Sequence, residues 1–63
     1  MIMDRKRRDN ERKFGNWKDL PTGGRCYSYD VPGLHGWSAR YMKEVDVEEQ
    51  TVRFWQEVYD DHQ

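Results

Sequence analysis

Apolar and polar side chains alternate through the C-terminal two thirds of the chain. Residues 25–31, 37–45 and 51–59 each place aromatic, β-branched or other apolar side chains at most alternate positions, and this period of two is typical of half-buried β-strands. Turn-forming residues separate the three segments, which together hold seven of the nine aromatic residues. The pattern predicts a mainly β fold, a three-stranded antiparallel meander sheet.

The two sides of this predicted sheet differ in composition. One side collects the apolar side chains Tyr27, Tyr29, Val31, Trp37, Ala39, Tyr41, Val45, Val52, Phe54 and Val58. The other side mixes charge with large apolar groups, namely Arg40, Met42, Glu44, Arg53, Trp55, Glu57 and Tyr59. Residues 51–59 carry large apolar groups on both of their sides, so the orientation of this strand is ambiguous, and the core is coherent if Val52, Phe54 and Val58 join the first side. With that arrangement we expect the first side to form the core, and we expect opposite charges on neighbouring strands of the second side to pair.

Two turns connect the predicted strands. Pro32-Gly33 fits a type II turn, because proline pre-sets φ at the second turn position and glycine accepts the positive φ required at the third. Residues 46–50 read Asp-Val-Glu-Glu-Gln, and we expect this acidic turn to be exposed to solvent.

The N-terminal segment, residues 1–13, is a charged arm without an apolar stripe. Ion pairs at i,i+4 spacing contribute about 0.2–0.5 kcal/mol each, and a short isolated helix is marginal in water. The sequence therefore predicts an arm that is disordered or a frayed helix, followed by a single small β domain, residues 14–63. Phe14, Trp17 and Leu20 are expected to pack on one side of the sheet from a helical turn or loop.

Length and composition narrow the class of protein. Sixty-three residues allow one domain with a small core. Cys26 is the only cysteine, which excludes a disulfide within the chain and suits a reducing compartment. No apolar run approaches the roughly 20 residues that a membrane span needs. We therefore expect a cytoplasmic protein that does not associate with membranes.

The charges are distributed unevenly. The net charge is −1, but residues 1–20 carry seven Lys/Arg against four Asp/Glu, whereas residues 21–63 carry four against eight. The basic arm has two candidate partners. One is an external anion such as nucleic acid, and the other is the acidic sheet of the same or a neighbouring chain.

The residues with reactive or metal-binding side chains form no recognisable site. Cys26, His35 and His62 lack metal-ligand spacing. A Cys26–His35 pair would have no third group to orient the histidine, and so small a chain offers little concave volume for a substrate. The sequence predicts no enzymatic activity, no metal, no cofactor and no small-molecule substrate.

Two functional hypotheses remain. The first is a protein-interaction module that self-associates or binds another protein through residue types enriched at interfaces, here Arg40, Met42, Arg53, Trp55 and Tyr59. The alternative is a nucleic-acid-binding protein, because single-strand binders combine a basic track with stacking aromatics. The basic track would consist of Arg5, Lys6, Arg7, Arg8, Arg12 and Lys13.

Overall fold

The computed structural model describes residues 2–33 and 35–60, so the candidate ligand His62 lies outside the described residues. One helix and four strands follow in order: α1 (Ile2–Phe14), β1 (Asn16–Asp19), β2 (Arg25–Pro32), β3 (Ser38–Val45) and β4 (Thr51–Tyr59). The strands form one sheet in the order β1-β2-β3-β4, and every neighbouring pair is antiparallel. The mainly β fold with an antiparallel meander is confirmed, but the sheet has four strands rather than three.

The additional strand β1 lies where the sequence predicted a helical turn or loop. Gly15 ends α1 in the left-handed conformation, with φ of 83°, and its N–H donates to the Glu11 carbonyl at 2.9 Å, as is common at helix C-termini. Beyond it, Trp17 pairs with Tyr27 across the sheet. The spacing of Phe14, Trp17 and Leu20 therefore spans two elements, and Trp17 extends the sheet instead of covering it.

The connection between β2 and β3 also differs from the prediction. Positive φ occurs at His35 and Gly36 rather than at Gly33, so Pro32-Gly33 is not the centre of a type II turn. Gly33 donates its N–H to the Trp37 carbonyl at 2.6 Å, and a Cβ on Gly33 would lie 2.7 Å from that oxygen. A side chain at residue 33 would clash with this carbonyl oxygen, so the position requires glycine. Trp37 precedes β3 and is 51% exposed, so its predicted place in the core is wrong.

The N-terminal arm is a helix that packs on the sheet, and the prediction of a disordered or frayed arm is corrected accordingly. Its inner side carries Arg7, Asn10, Glu11 and Phe14, of which Asn10 and Phe14 are buried and the other two half-buried. These positions follow the i, i+3, i+4, i+7 spacing of one helix side. Because most of them are polar, the helix has no apolar stripe that could be recognised in the sequence.

The core lies between the C-terminal end of α1 and the middle of β2. Its buried hydrophobic residues are Phe14, Tyr27 and Val45, with Tyr29 and Tyr41 packed against them. The Phe14 ring centroid lies 5.8 Å from that of Tyr27 and 5.3 Å from that of Tyr29. The helix packs mainly on β1 and β2, so part of the sheet has no helix over it.

The cross-strand register places Phe54 and Val58 on the same side of the sheet as Tyr27 and Val31, as the coherent core requires, but at the start of β4 Thr51 and not Val52 lies opposite Val45. We call the side on which α1 packs the helix face; it carries Tyr27, Tyr29, Val31, Ala39, Tyr41, Lys43, Val45, Phe54, Gln56 and Val58. We call the opposite side the open face; on β3 and β4 it carries Arg40, Met42, Glu44, Arg53, Trp55, Glu57 and Tyr59. A bulge between Glu44 and Val45 shifts the register at the start of β4.

Candidate functional site

Strand β4 is the most exposed apolar element of the described chain. Val52, Phe54 and Val58 are 58%, 57% and 53% exposed. Strand β4 is the last in the sheet order and pairs only with β3 among the described residues. An edge strand of nine residues presents unpaired backbone N–H and C=O groups, which favour pairing with another chain.

The exposed apolar area continues from β4 across the sheet. Val31 of β2, Ala39 of β3 and Val58 of β4 lie opposite one another on the helix face, at the end of the sheet away from the buried Tyr27. Val31 is 39% exposed and Ala39 is half-buried. We call the group Val31, Ala39, Val52, Phe54 and Val58 the uncovered apolar surface. The prediction that this side of the sheet forms the core is wrong for the four of these residues that are exposed, because alternation identifies a side of a sheet and not what covers it.

The open face brings together the predicted partner surface, which consists of Arg40, Met42, Arg53, Trp55 and Tyr59. Cross-strand partners on this face are Met42 with Trp55, Arg40 with Glu57, and Glu44 with Arg53. Met42 and Trp55 are half-buried. The five residues are thus neighbours on one face, as the sequence predicted, and their role in binding stays a prediction.

Most charged groups on the open face have partners within the chain. Arg53 Nη2 lies 3.1 Å from Glu44 Oε1, and the Arg53 guanidinium lies 4.3 Å from the centre of the Trp55 ring. Arg40 Nε lies 2.7 Å from Asp30 Oδ1. Exposed pairs of this kind contribute about 0–1 kcal/mol each. These ion pairs therefore add little to the stability of the fold.

Glu57 accepts hydrogen bonds from two aromatic side chains on the open face. The donors are the Tyr59 hydroxyl and the Trp55 indole Nε1, the latter at 3.2 Å. These two bonds lower the pKa of the Glu57 carboxyl. The carboxylate thereby fixes the orientation of both rings beside the β4 edge.

The turn between β3 and β4 is not wholly exposed, in contrast to the prediction. Glu49 is only 4% exposed and has φ of 62°. Its carboxylate accepts hydrogen bonds from the Tyr27 hydroxyl at 2.7 Å, Asn10 Nδ2 at 3.0 Å and Arg7 Nε at 3.3 Å. The basic arm therefore contacts the acidic hairpin of its own chain, which was one of the two partners considered for it.

Burial and hydrogen bonding act in opposite directions on Glu49. Burial alone would raise the pKa of the carboxyl, but the hydrogen bonds from Tyr27, Asn10 and Arg7 outweigh it and hold the pKa below its ordinary value. Burial and the bond to Glu49 raise the pKa of Tyr27 to about 12. At neutral pH, Glu49 is therefore an ionised carboxylate and Tyr27 a neutral phenol that donates to it.

A polar cleft of about 490 Å³ lies beside this group, lined by Lys6, Asp9, Asn10, Lys43, Glu49, Gln50 and Thr51. Lys43 donates to Asn10 Oδ1 at 3.0 Å, so several lining groups already bond to one another. Within the described residues no cluster of three or more His, Cys, Asp or Glu side chains is placed to hold a metal ion.

The six basic residues proposed for nucleic-acid binding are divided by the fold. Arg7 bonds to Glu49, Lys6 lines the cleft, and the Lys13 ammonium lies 6.0 Å from the Phe14 ring centre. The other three, Arg5, Arg8 and Arg12, are exposed on the outer side of α1. In the described part of the chain no carboxylate forms an ion pair with them.

Cys26 and His35 do not form a catalytic pair. Cys26 lies near the start of β2, about 20 Å along the strand from its end at Pro32, and His35 lies beyond that end. Burial and the neighbouring Glu44 raise the pKa of the Cys26 thiol, which disfavours the nucleophilic thiolate.

Among the described residues, no helix has the length and apolar character needed to cross a bilayer. Comparison of the chain with protein-family models, with curated proteins and with solved structures found no match.

Proposed function

We propose that the protein is a non-enzymatic interaction module that self-associates through the β4 edge and the uncovered apolar surface. The observation that carries the proposal is the exposure of Val52, Phe54 and Val58, each more than half accessible on an edge strand. Fully burying one such side chain contributes about 1.5–3 kcal/mol. Covering all three would outweigh the small contributions available from charges on the open face.

A second copy of the chain is the partner that these features favour. The buried hydrophobic core comprises Phe14, Tyr27 and Val45, and association would add apolar burial to this small core. The uncovered apolar surface carries no charged side chain, so two copies meet there without like-charge repulsion. Arg53, Trp55 and Tyr59 of the surface predicted from sequence lie on the same edge strand and would flank the contact. The unpaired thiol of Cys26 fits a reducing compartment such as the cytoplasm.

Sedimentation velocity across a range of concentrations tests this proposal. The wild-type chain is expected to show a dimer whose fraction rises with concentration, and Val58→Lys should weaken the dimer by at least about tenfold, or 1.4 kcal/mol. Val47→Lys is the matched control, because Val47 is also 53% exposed but lies in the turn after β3. A wild-type chain that stays monomeric at high concentration, or equal weakening by both variants, would refute the proposal.

Nucleic-acid binding is the second candidate. It is favoured by the outer side of α1, where Arg5, Arg8 and Arg12 are exposed and form no ion pair within the described residues. Phosphates are the ligands that such a row of guanidinium groups prefers. The acidic groups near Trp55, which are Glu44 and Glu57, oppose a continuous binding track from helix to sheet.

A further inference from the structure

The sequence of β4 is complementary to itself about Trp55. It reads Thr-Val-Arg-Phe-Trp-Gln-Glu-Val-Tyr from Thr51 to Tyr59. Two of the pairs of positions equally distant from the centre are complementary, Val52 with Val58 and Arg53 with Glu57, and the innermost pair is Phe54 with Gln56. In an antiparallel pair of identical strands centred on Trp55, these residues would stand directly opposite one another.

We propose that the second copy adds to the β4 edge in an antiparallel arrangement, with Trp55 at the twofold axis. This inference rests on the proposed self-association and specifies its geometry. The four-stranded sheets of the two copies join into one continuous sheet, with both helices on the same side. The free backbone groups of β4 are then paired, which removes the exposed edge.

The charges on the open face favour this register. Arg53 lies opposite Glu57 of the second copy, and Glu57 lies opposite Arg53 of the second copy. The Arg53 side chain is 66% exposed and bonds to Glu44 through Nη2, so other guanidinium N–H donors remain for a carboxylate across the interface. Two identical ion pairs thus flank the central tryptophans.

Other antiparallel registers are worse. A centre at Arg53 or Glu57 would oppose two identical charges, which is unfavourable for directly opposed residues. A centre at Phe54 or Gln56 pairs neither charge with its opposite. A slip by one residue would bring the valines of the helix face against the charged side chains of the open face.

The helix face is also continuous in this register. Val58 lies opposite Val52 of the second copy, which extends the apolar row formed by Val31, Ala39 and Val58 across the interface. Phe54 lies opposite Gln56 of the second copy, whose amide flanks the ring. The exposed valines of β4 therefore contact one another across the junction.

Disulfide trapping tests the register. In a Cys26→Ser background, Val52→Cys and Val58→Cys are made as separate variants. A disulfide needs Cα atoms about 4.4–6.8 Å apart, and directly opposed antiparallel residues meet this condition at about 4.5–5.5 Å. Two copies of the same cysteine would lie six residues apart along the strands, or about 20 Å.

The expected result is a covalent dimer in an equimolar mixture of the two variants under mild oxidation, and none from either variant alone. Arg53→Cys mixed with Glu57→Cys should behave in the same way on the open face. Mass spectrometry of peptides from the unreduced dimer identifies the linked positions. All four side chains are at least partly exposed, and circular dichroism of each variant verifies folding.

The outcomes separate this inference from the proposed function. Sedimentation of the Cys26→Ser background as a monomer would overturn both. A sedimenting dimer with no mixed disulfide, or with disulfides formed by Val52→Cys alone, would overturn the register while self-association stands. Mixed disulfides at both position pairs, together with a sedimenting dimer, would support the register.

Discussion

At the scale of single residues, Glu49 has a backbone conformation that is uncommon for a residue with a side chain, with φ of 62°. A non-glycine residue in the left-handed region is unfavourable by about 1 kcal/mol or more. This backbone conformation is stabilised because it lets the carboxylate reach donors from α1 and β2, namely Arg7, Asn10 and Tyr27. One side chain in a turn thereby connects the helix to the sheet.

The pKa shift of Glu49 predicts an acid-sensitive contribution to stability. Because the pKa is lowered in the folded chain, the unfolded chain binds a proton more readily, and the stabilisation is present above the ordinary value of 4.5 and lost as pH falls below it. Glu49→Gln should lower the free energy of unfolding by about 1–3 kcal/mol at pH 7. This difference should shrink at pH 3–4, as measured by urea unfolding.

Glu48→Gln is the control for this measurement, because Glu48 is exposed in the same turn. It should leave the unfolding free energy nearly unchanged at both pH values. A difference between wild type and Glu49→Gln that is the same at pH 7 and at pH 3–4 would contradict a role for the ionised carboxylate.

The sequence could not have identified Glu49 as buried. It lies between Glu48 and Gln50 in an acidic turn, where solvent exposure is the usual outcome. Its carboxylate is buried against α1 and β2, where it accepts hydrogen bonds from Asn10 and Tyr27, which are 39 and 22 residues away. Alternation and composition describe near neighbours, so contacts at such separations leave no local signal.

At the scale of elements, the difference between predicted and missed segments has a physical cause. The three longer strands were predicted within one residue at each end, because eight or nine residues show several cycles of alternation. Strand β1 has four residues and shows too few cycles. Helix α1 lacks an apolar stripe because Asn10 and Glu11 replace apolar residues on its inner side.

Phe14 is expected to determine whether α1 stays docked. It is 3% exposed and contacts Tyr27, Tyr29 and Phe54. Phe14→Ala should lower the free energy of unfolding by about 3–5 kcal/mol, and the helical signal in circular dichroism should fall, because a 13-residue helix is marginal without tertiary contacts.

Phe54→Ala provides a matched comparison at low protein concentration. The same atoms are removed, but Phe54 is 57% exposed, so much less apolar burial and no comparable cavity are involved. Equal losses of stability from the two variants in the monomer would argue that Phe54 belongs to the core and that β4 is covered. Such a result would also weaken the case for the uncovered apolar surface.

At the scale of the whole molecule, the helix covers only part of the sheet, and the charges are distributed unevenly. The molecule measures 43 × 21 × 14 Å, and its helix packs mainly on β1 and β2, whereas the apolar residues of β4 stay exposed. The basic arm folds back toward the acidic hairpin through Arg7 and Glu49. This contact uses part of the positive charge that a nucleic-acid ligand would require.

An oligonucleotide titration separates the two candidate functions. We expect no saturating change in tryptophan fluorescence with a single-stranded oligonucleotide at about 0.15 M salt, where the Debye length is about 8 Å, because Glu44 and Glu57 lie beside Trp55 and repel phosphates. If Arg5, Arg8 and Arg12 did bind three phosphates, log K would fall with log salt at a slope of about −2. An Arg5→Ser/Arg8→Ser/Arg12→Ser variant would then lose the binding. Saturable binding with that slope, together with its loss in the triple variant, would make nucleic-acid binding the primary function. Self-association through β4 would then be secondary to it.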